Sequence, residues 1–288
     1  MPKPISFLDL FEEVIQEEKR EKAEYYKTYE YKHNPSSASF VYASGKVVGA
    51  CLRQLYYKAK KVASSNPEDL TGILQMGFGD AIHTWFLGKL AKSKKVQITT
   101  ESAGKVHIDP LAREVSYRLD GLVDNQGERG WLELKTKQSF AVQRLFKEDI
   151  SADNLLQGIS YFGANPGLSF GNFITVGRDT ALRLEHQVTR KEDRYFVQGV
   201  LPYSPIKEIP ELSFEGVKKR WAELEVCLKT DTVPNRDYKV VFNEDGQIVA
   251  KRQKKCVEYK SDWRCLYCSY KDHCWSQPDK NKDEVKVG

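Results

Sequence analysis

The sequence predicts an α/β fold in which helices come first, strands follow and a cysteine-rich segment ends the chain. Apolar residues recur at helical spacing in the N-terminal third. Alternating runs bounded by turn residues follow between residues 96 and 189. The 288 residues allow one elaborated domain or two small ones. A chain of this size buries about 70–75% of its unfolded surface, so neither a metal nor a disulfide is needed to form its core.

The elements can be placed in order from these patterns. Helices are predicted over residues 5–32, 47–60, 72–92, 141–146, 152–162 and 211–229. Strands are predicted over residues 96–100, 104–108, 114–123, 130–137, 172–176 and 181–189. We therefore predict a charged helical extension over residues 1–35, one domain over residues 36–276, and a polar, flexible tail over residues 277–288.

Composition limits the classes of protein. The sequence lacks an apolar run near the ~18 residues of a membrane span, and its acidic N-terminal region is unlike a targeting peptide. A cytoplasmic location is therefore expected, where cysteines serve as ligands or apolar residues more often than as disulfides. The net charge of +5 is compatible with nucleic acid without being diagnostic of it.

One basic cluster is a candidate nucleic-acid contact. It comprises Lys251, Arg252, Lys254 and Lys255. Aromatic residues nearby would let this cluster follow a single strand by charge and stacking. The alternative is an ordinary solvated loop.

An acidic pair with a lysine is the most informative stretch for catalysis. Glu133 and Lys135 alternate with apolar residues on a predicted strand, and Asp120 lies on the strand expected to pair with it. Two carboxylates at this place form an oxygen-rich site that suits Mg²⁺ or Mn²⁺, and the backbone carbonyl of Leu134 could complete it. Lys135 could hold a water or stabilise charge on a phosphate. A surface ion pair is the simpler alternative.

Two further pairs have the spacing of one helical turn. Gly79 and His83 share one helix face, as do Gln157 and Tyr161. The glycine would let another backbone or a nucleic-acid strand approach the His83 imidazole closely. The polar ends of Gln157 and Tyr161 could point together into a site. Ordinary core or surface roles are the alternatives.

The cysteines are the strongest local signal. Cys265, Cys268 and Cys274 have the spacing of ligands for one soft metal centre. Zinc and an iron–sulfur cluster both need four ligands. The candidates for the fourth are Cys51, Cys227 and Cys256, with His273 added for zinc. The residues alone slightly favour zinc.

Together, these motifs resemble the iron–sulfur nucleases of the PD-(D/E)XK superfamily. The segment Cys51-Leu-Arg-Gln-Leu-Tyr is similar to that family's Cys-Pro-Arg entry, with Leu52 in place of proline. The remaining motifs follow in the family's order through Cys274. RecB-like exonucleases associated with CRISPR systems and the AddB nuclease domain are the most similar in pattern.

The resemblance implies a mixed sheet flanked by helices, with the N-terminal helices and the C-terminal segment held together by a 4Fe–4S cluster. The implied cluster ligands are Cys51, Cys265, Cys268 and Cys274. The implied ligands of Mg²⁺ or Mn²⁺ are His83, Asp120 and Glu133, with Lys135 as the catalytic lysine. Gln157 and Tyr161 would support the site or contact DNA, and Arg53 would touch a phosphate.

The resulting hypothesis is a metal-dependent DNA exonuclease that acts on single-stranded ends. Two alternatives stay open: a catalytically idle DNA-binding or assembly module, and a zinc-ribbon nucleic-acid-binding protein. The N-terminal helix is a candidate surface for protein partners. No membrane association is expected.

Overall fold

A computed structural model describes residues 7–67, 69–146, 150–180, 182–199, 204–243, 261–276 and 285–287. Its helices are α1 (Phe7–Thr28), α2 (Leu52–Ala59), α3 (Leu70–Leu90), α4 (Ser139–Leu145), α5 (Ala152–Ala164), α6 (Phe214–Lys229), α7 (Trp263–Leu266) and α8 (Lys271–Trp275). Its strands are β1 (Ser39–Val41), β2 (Val47–Gly49), β3 (Gln97–Val106), β4 (Val115–Asn125), β5 (Glu128–Lys137), β6 (Phe170–Gly177), β7 (Arg183–Lys191), β8 (Arg194–Gln198), β9 (Ile206–Glu208), β10 (Val241–Asn243) and β11 (Val285–Val287). No helix in these ranges is both long and apolar enough to cross a membrane.

A mixed sheet with helices on its faces organises the fold. In the described residues its seven strands lie in the order β3-β4-β5-β6-β7-β8-β9. β5 and β6 are parallel, whereas the other neighbouring pairs are antiparallel. A parallel pair needs a long connection, and α4 and α5 provide it between β5 and β6. The predicted α/β architecture of a mixed sheet flanked by helices is therefore confirmed.

Local sequence signals explain where the main helices begin. Asp69, Ser151 and Ser213 each accept a hydrogen bond from a backbone N–H in the first turn of α3, α5 and α6, respectively. Such caps satisfy N–H groups that have no partner within the helix. The starts of the helices that carry or support the candidate site are thus encoded locally.

The main core lies between α5 and the sheet. Trp131 is fully buried and its ring contacts Phe173 and Tyr161 at centroid distances of 4.7 and 5.4 Å. Glycine is needed at positions 158 and 171 to leave space for this indole. A Cβ atom would come within 2.8 Å of the ring at Gly158 and within 1.8 Å at Gly171. Trp131 therefore packs β5 closely against α5, two residues before Glu133.

Several elements differ from the sequence prediction. The predicted strands 96–100 and 104–108 form one continuous strand, β3, because Ser102 and Ala103 pair with β4 like their neighbours. The prediction omits the short strands β1, β2, β8 and β9. The tail was expected to be frayed, whereas β11 pairs with β10 in parallel.

Candidate functional site

Strands β4 and β5 separate at Asp120, and we call this place the fork (Asp120, Glu133 and Leu134). Their paired residues run from Asn125–Glu128 to Gly121–Leu132. Beyond that point the Asp120 carboxylate, not a backbone carbonyl, accepts the Leu134 N–H, with Oδ2 2.8 Å from the nitrogen. The side chain of Asp120 is thus fixed where the sheet opens.

Glu133 lies at the centre of a hydrogen-bonded group. Its Oε1 accepts from Lys135 Nζ at 2.7 Å and from Gln157 Nε2 at 2.9 Å. Its Oε2 accepts from the Tyr161 hydroxyl at 2.8 Å. Gln157 also accepts from Lys135 Nζ through Oε1 at 3.0 Å. Strand β5 supplies Glu133 and Lys135 from one face, and α5 supplies the other two from successive turns.

Burial sets the protonation of this group. It raises the pKa of Asp120, and the nearby negative charge of Glu133 raises it further. The pKa of Tyr161 is raised for the same two reasons, so its hydroxyl stays neutral and donates to Glu133. Two carboxylates that are largely shielded from solvent repel each other. A cation placed between them would relieve that repulsion.

His83 completes the fork from the opposite face of the sheet. Gly79, one turn earlier in α3, faces Thr136 of β5, where a Cβ atom would meet Oγ1 at 3.0 Å. This close packing brings His83 Nδ1 to 3.5 Å from Asp120 Oδ2. The structure therefore brings together His83, Asp120, Glu133, Lys135, Gln157 and Tyr161 from the sequence prediction.

The donor set of the fork suits a hard divalent cation. Carboxylate oxygens and an imidazole nitrogen are its ordinary ligands. An ionised carboxylate has about four acceptor positions, and the described contacts of Glu133 occupy three. Within the described ranges, no three His, Cys, Asp or Glu side chains are grouped as ligands of one ion. The metal-ligand roles, including that of the Leu134 carbonyl, stay predictions.

A second group lies next to the first along α5. Cys51, Cys265, Cys268 and Cys274 line one cavity of about 360 Å³, the cysteine cavity. These thiols are free, without a disulfide. Cys51 comes from the start of α2, and the other three come from the segment with α7 and α8. Gln157 also lines the cavity, so its side chain contacts both groups.

Burial raises the pKa of three of these thiols. Burial, followed by the negative charge of Asp237, raises the pKa of Cys51 to about 12. Burial likewise raises the pKa of Cys265 and of Cys268. Thiolates bind soft metals, and metal binding drives their deprotonation. Four partly buried cysteines around one space therefore have the donor atoms that a soft-metal group needs.

Two of the remaining candidates for a fourth cysteine-site ligand, Cys227 and His273, are not among the residues that line the cysteine cavity. Cys227 lines a different cavity, beside Leu52. The His273 ring packs edge-on against Tyr57 at 4.8 Å between centroids. Cys256 lies outside the described residues.

Arg53, which is predicted to contact a phosphate, lies inside the described fold. Only 2% of the residue is exposed, and Nε donates to the Pro234 carbonyl at 2.7 Å. Its contact with a phosphate stays a prediction. The basic cluster of Lys251, Arg252, Lys254 and Lys255 lies outside the described residues and stays a prediction.

Asp153 is a supporting residue that the sequence prediction omits. Its Oδ1 accepts from the Gly49 N–H at 2.9 Å, and its two carboxylate oxygens accept from the same nitrogen of Arg264, Nη2, at 2.9 and 3.1 Å. It thereby joins the segments before Cys51 and Cys265 to α5. Its one sequence signal is its position one helical turn before Gln157.

Comparisons with known proteins give distant structural similarities. No protein-family profile and no curated protein matches the sequence. The chain is similar to the crystal structure of SSO0001, with 13% identity and a TM-score of 0.44, over 92% of this chain and 97% of that chain. It is also similar to LHK-Exo, an alkaline exonuclease from Laribacter hongkongensis, with 11% identity and a TM-score of 0.39, over 62% of this chain and 78% of that chain. A complex of LHK-Exo with dAMP gives 12% identity, the same score and the same coverage.

Proposed function

We propose that this protein is a metal-dependent nuclease that hydrolyses phosphodiester bonds at the fork, acting as an exonuclease on single-stranded DNA ends. The observation that carries the proposal is the position of two carboxylates, the half-buried Asp120 and the buried Glu133, beside Lys135 where β4 and β5 separate. The motif resemblance supports DNA and single-stranded ends as the substrate.

Asp120, Glu133 and His83 would hold Mg²⁺ or Mn²⁺. A divalent cation there would polarise the scissile phosphodiester and lower the pKa of the attacking water. The chain itself orients the carboxylates: the Leu134 N–H fixes Asp120, and the Tyr161 hydroxyl fixes Glu133. Such fixed groups need little rearrangement during the reaction.

The contacts of Lys135 suit it to stabilise negative charge during the reaction. An ammonium has three N–H donors, and two are used by Glu133 and Gln157 in the described residues. The third is available to hold the attacking water or a phosphate oxygen. Because two contacts fix its direction, Lys135 can stabilise developing negative charge without first reorienting.

The four cysteines of the cysteine cavity would hold the 4Fe–4S cluster of the resembling nucleases. Their placement supports a structural role, since they join the helices after residue 50 to the C-terminal segment. The long loop that they close adds little extra entropic cost, because that cost grows slowly with loop length.

The test is the incubation of purified protein with end-labelled single- and double-stranded DNA, with and without Mn²⁺. We expect Mn²⁺-dependent shortening from the ends of single strands, abolished in Asp120→Asn. Asp124→Asn is the matched control on β4, because Asp124 accepts a hydrogen bond only locally, from the turn residue Gly127. Unimpaired cleavage by folded Asp120→Asn protein would overturn the site. DNA binding without shortening would favour the binding module instead.

A further inference from the structure

Two arginine side chains converge on the sulfur of Cys274. Arg236 Nε lies 3.4 Å from Sγ, and Arg53 Nη1 lies 4.0 Å from it. Backbone carbonyls hold both head groups in place: Arg236 Nη2 donates to Cys274 O at 2.8 Å, and Arg53 Nε donates to Pro234 O at 2.7 Å. Donors on two guanidinium groups are therefore directed at one sulfur by fixed contacts.

This arrangement fits an anionic sulfur better than a neutral one. Burying a guanidinium costs free energy unless an anion or strong acceptor lies close to it, and Arg53 is almost fully buried. A neutral thiol is only a weak acceptor. A metal-bound thiolate is a much better partner for both side chains.

The other cysteines have different partners. Cys268 Sγ accepts from the Tyr270 N–H at 3.4 Å, and the Cys265 thiol donates to Tyr238 O at 3.7 Å. Cys51 lies near the negative charge of Asp237. The positive charge directed at the sulfurs is thus concentrated at Cys274, on one side of the cavity.

We propose that Arg53 and Arg236 act through Cys274 to raise the reduction potential of the proposed iron–sulfur cluster. This inference rests on the proposed cluster but not on the nuclease activity. One-electron reduction, by an external reductant such as dithionite, adds one negative charge to the cluster. Hydrogen bonds to the sulfurs and nearby cations stabilise that charge, so they favour the reduced state.

The test is a redox titration of full-length protein purified without oxygen, followed by visible absorbance and electron paramagnetic resonance. Arg236→Gln removes both the charge and the Nε donor. We expect it to lower the ratio of reduced to oxidised cluster at a fixed potential by about tenfold, which corresponds to ~59 mV for one electron. Arg236→Lys keeps the charge but loses the directed donor, so its expected shift is in the same direction and smaller.

Arg264→Gln is the matched control. Arg264 also lines the cavity and precedes Cys265, but its head group lies over the Tyr238 ring at 4.6 Å and binds Asp153. We expect the reduction potential of the cluster in Arg264→Gln to shift less than half as far as in Arg236→Gln. Equal shifts in the two variants, or a raised potential in Arg236→Gln, would overturn the proposal.

Two further outcomes separate this inference from the proposed function. Wild-type protein that contains zinc and no iron would overturn the cluster and this inference together, while leaving the nuclease assay to decide the activity. Normal iron and sulfide with an unshifted potential would overturn only the role of the arginines. If Arg236→Gln does not retain a cluster, Arg236→Lys and Arg53→Lys decide the question: an unshifted potential in both contradicts it, and a lowered potential in either supports it.

Discussion

The fork and the cysteine cavity lie against the same helix, α5, yet they are stabilised in opposite ways. At the fork, polar side chains already satisfy one another, as the three donors on Glu133 show. In the cavity, the partly buried thiols of Cys51, Cys265 and Cys268 have raised pKa values. The fork is therefore organised before any ion binds. The cavity would depend for its stability on the cluster that we propose for it.

The largest expected effect is on stability, from the loss of one cysteine-cavity ligand. Cys268→Ser should abolish iron binding and lower the free energy of unfolding by more than ~4 kcal/mol, a loss typical of metal-site removal. Cys227→Ser is the control, with an expected change within ~1 kcal/mol. Iron analysis and thermal unfolding measure both variants. A Cys268→Ser protein that kept its iron and its melting temperature would contradict the contrast between the two regions.

The second-largest expected effect is on activity, and it comes from the loss of the Lys135 side chain. Lys135→Ala should lower the cleavage rate by about 10²–10³-fold, as the loss of one preorganised donor does in other enzymes. The melting temperature should change little, because Glu133 keeps its contacts with Gln157 and Tyr161. The control, Lys137→Ala, alters the next lysine along the strand and should cost less than threefold in rate. Rates are measured on labelled DNA at saturating Mn²⁺. Equal losses in the two variants would remove Lys135 from the site.

A smaller effect is expected at Gln157, which contacts Glu133 of the fork and also lines the cysteine cavity. Gln157→Ala should lower the cleavage rate by about tenfold, because Lys135 and Glu133 each lose a positioning hydrogen bond worth ~1 kcal/mol. Its iron content should be unchanged. The control is Asn154→Ala, since Asn154 lines the cysteine cavity from the same helix without belonging to the fork. A loss of iron in Gln157→Ala at an unchanged rate would assign Gln157 to the cavity instead.

The sequence predicts which residues meet at and around the fork better than it predicts their arrangement. Strand alternation places Glu133 and Lys135 on one face, and helical spacing pairs Gln157 with Tyr161, so local rules find these residues. The separation of β4 from β5 at Asp120 has no local signal, because it depends on where strand pairing stops. The burial of Arg53 was missed for a related reason. Its partners, Pro234 and Cys274, lie about 180 or more residues away.

The smallest expected effect concerns His33, which links β4 to α6. His33 O accepts from the Ser116 N–H of β4 at 2.8 Å, and Nε2 lies 3.0 Å from Glu225 Oε1 of α6. Burial lowers the pKa of His33 below 6.5, and the contact with Glu225 offsets this only partly. The unfolded chain therefore binds a proton more readily than the folded chain as pH falls below 6.5, so stability decreases there.

His33→Gln should remove this pH dependence while keeping a polar side chain. Between pH 7.5 and 5.5, the wild type should lose more stability than His33→Gln, because protonation of the unfolded chain at this position is favoured over protonation of the folded chain. Glu225 does not interfere, because its pKa is lowered below 4.5, outside this window. Urea unfolding at several pH values measures the difference, with His107→Gln as an exposed-histidine control. Parallel pH profiles for wild type and His33→Gln would show that the link between β4 and α6 does not depend on a neutral His33.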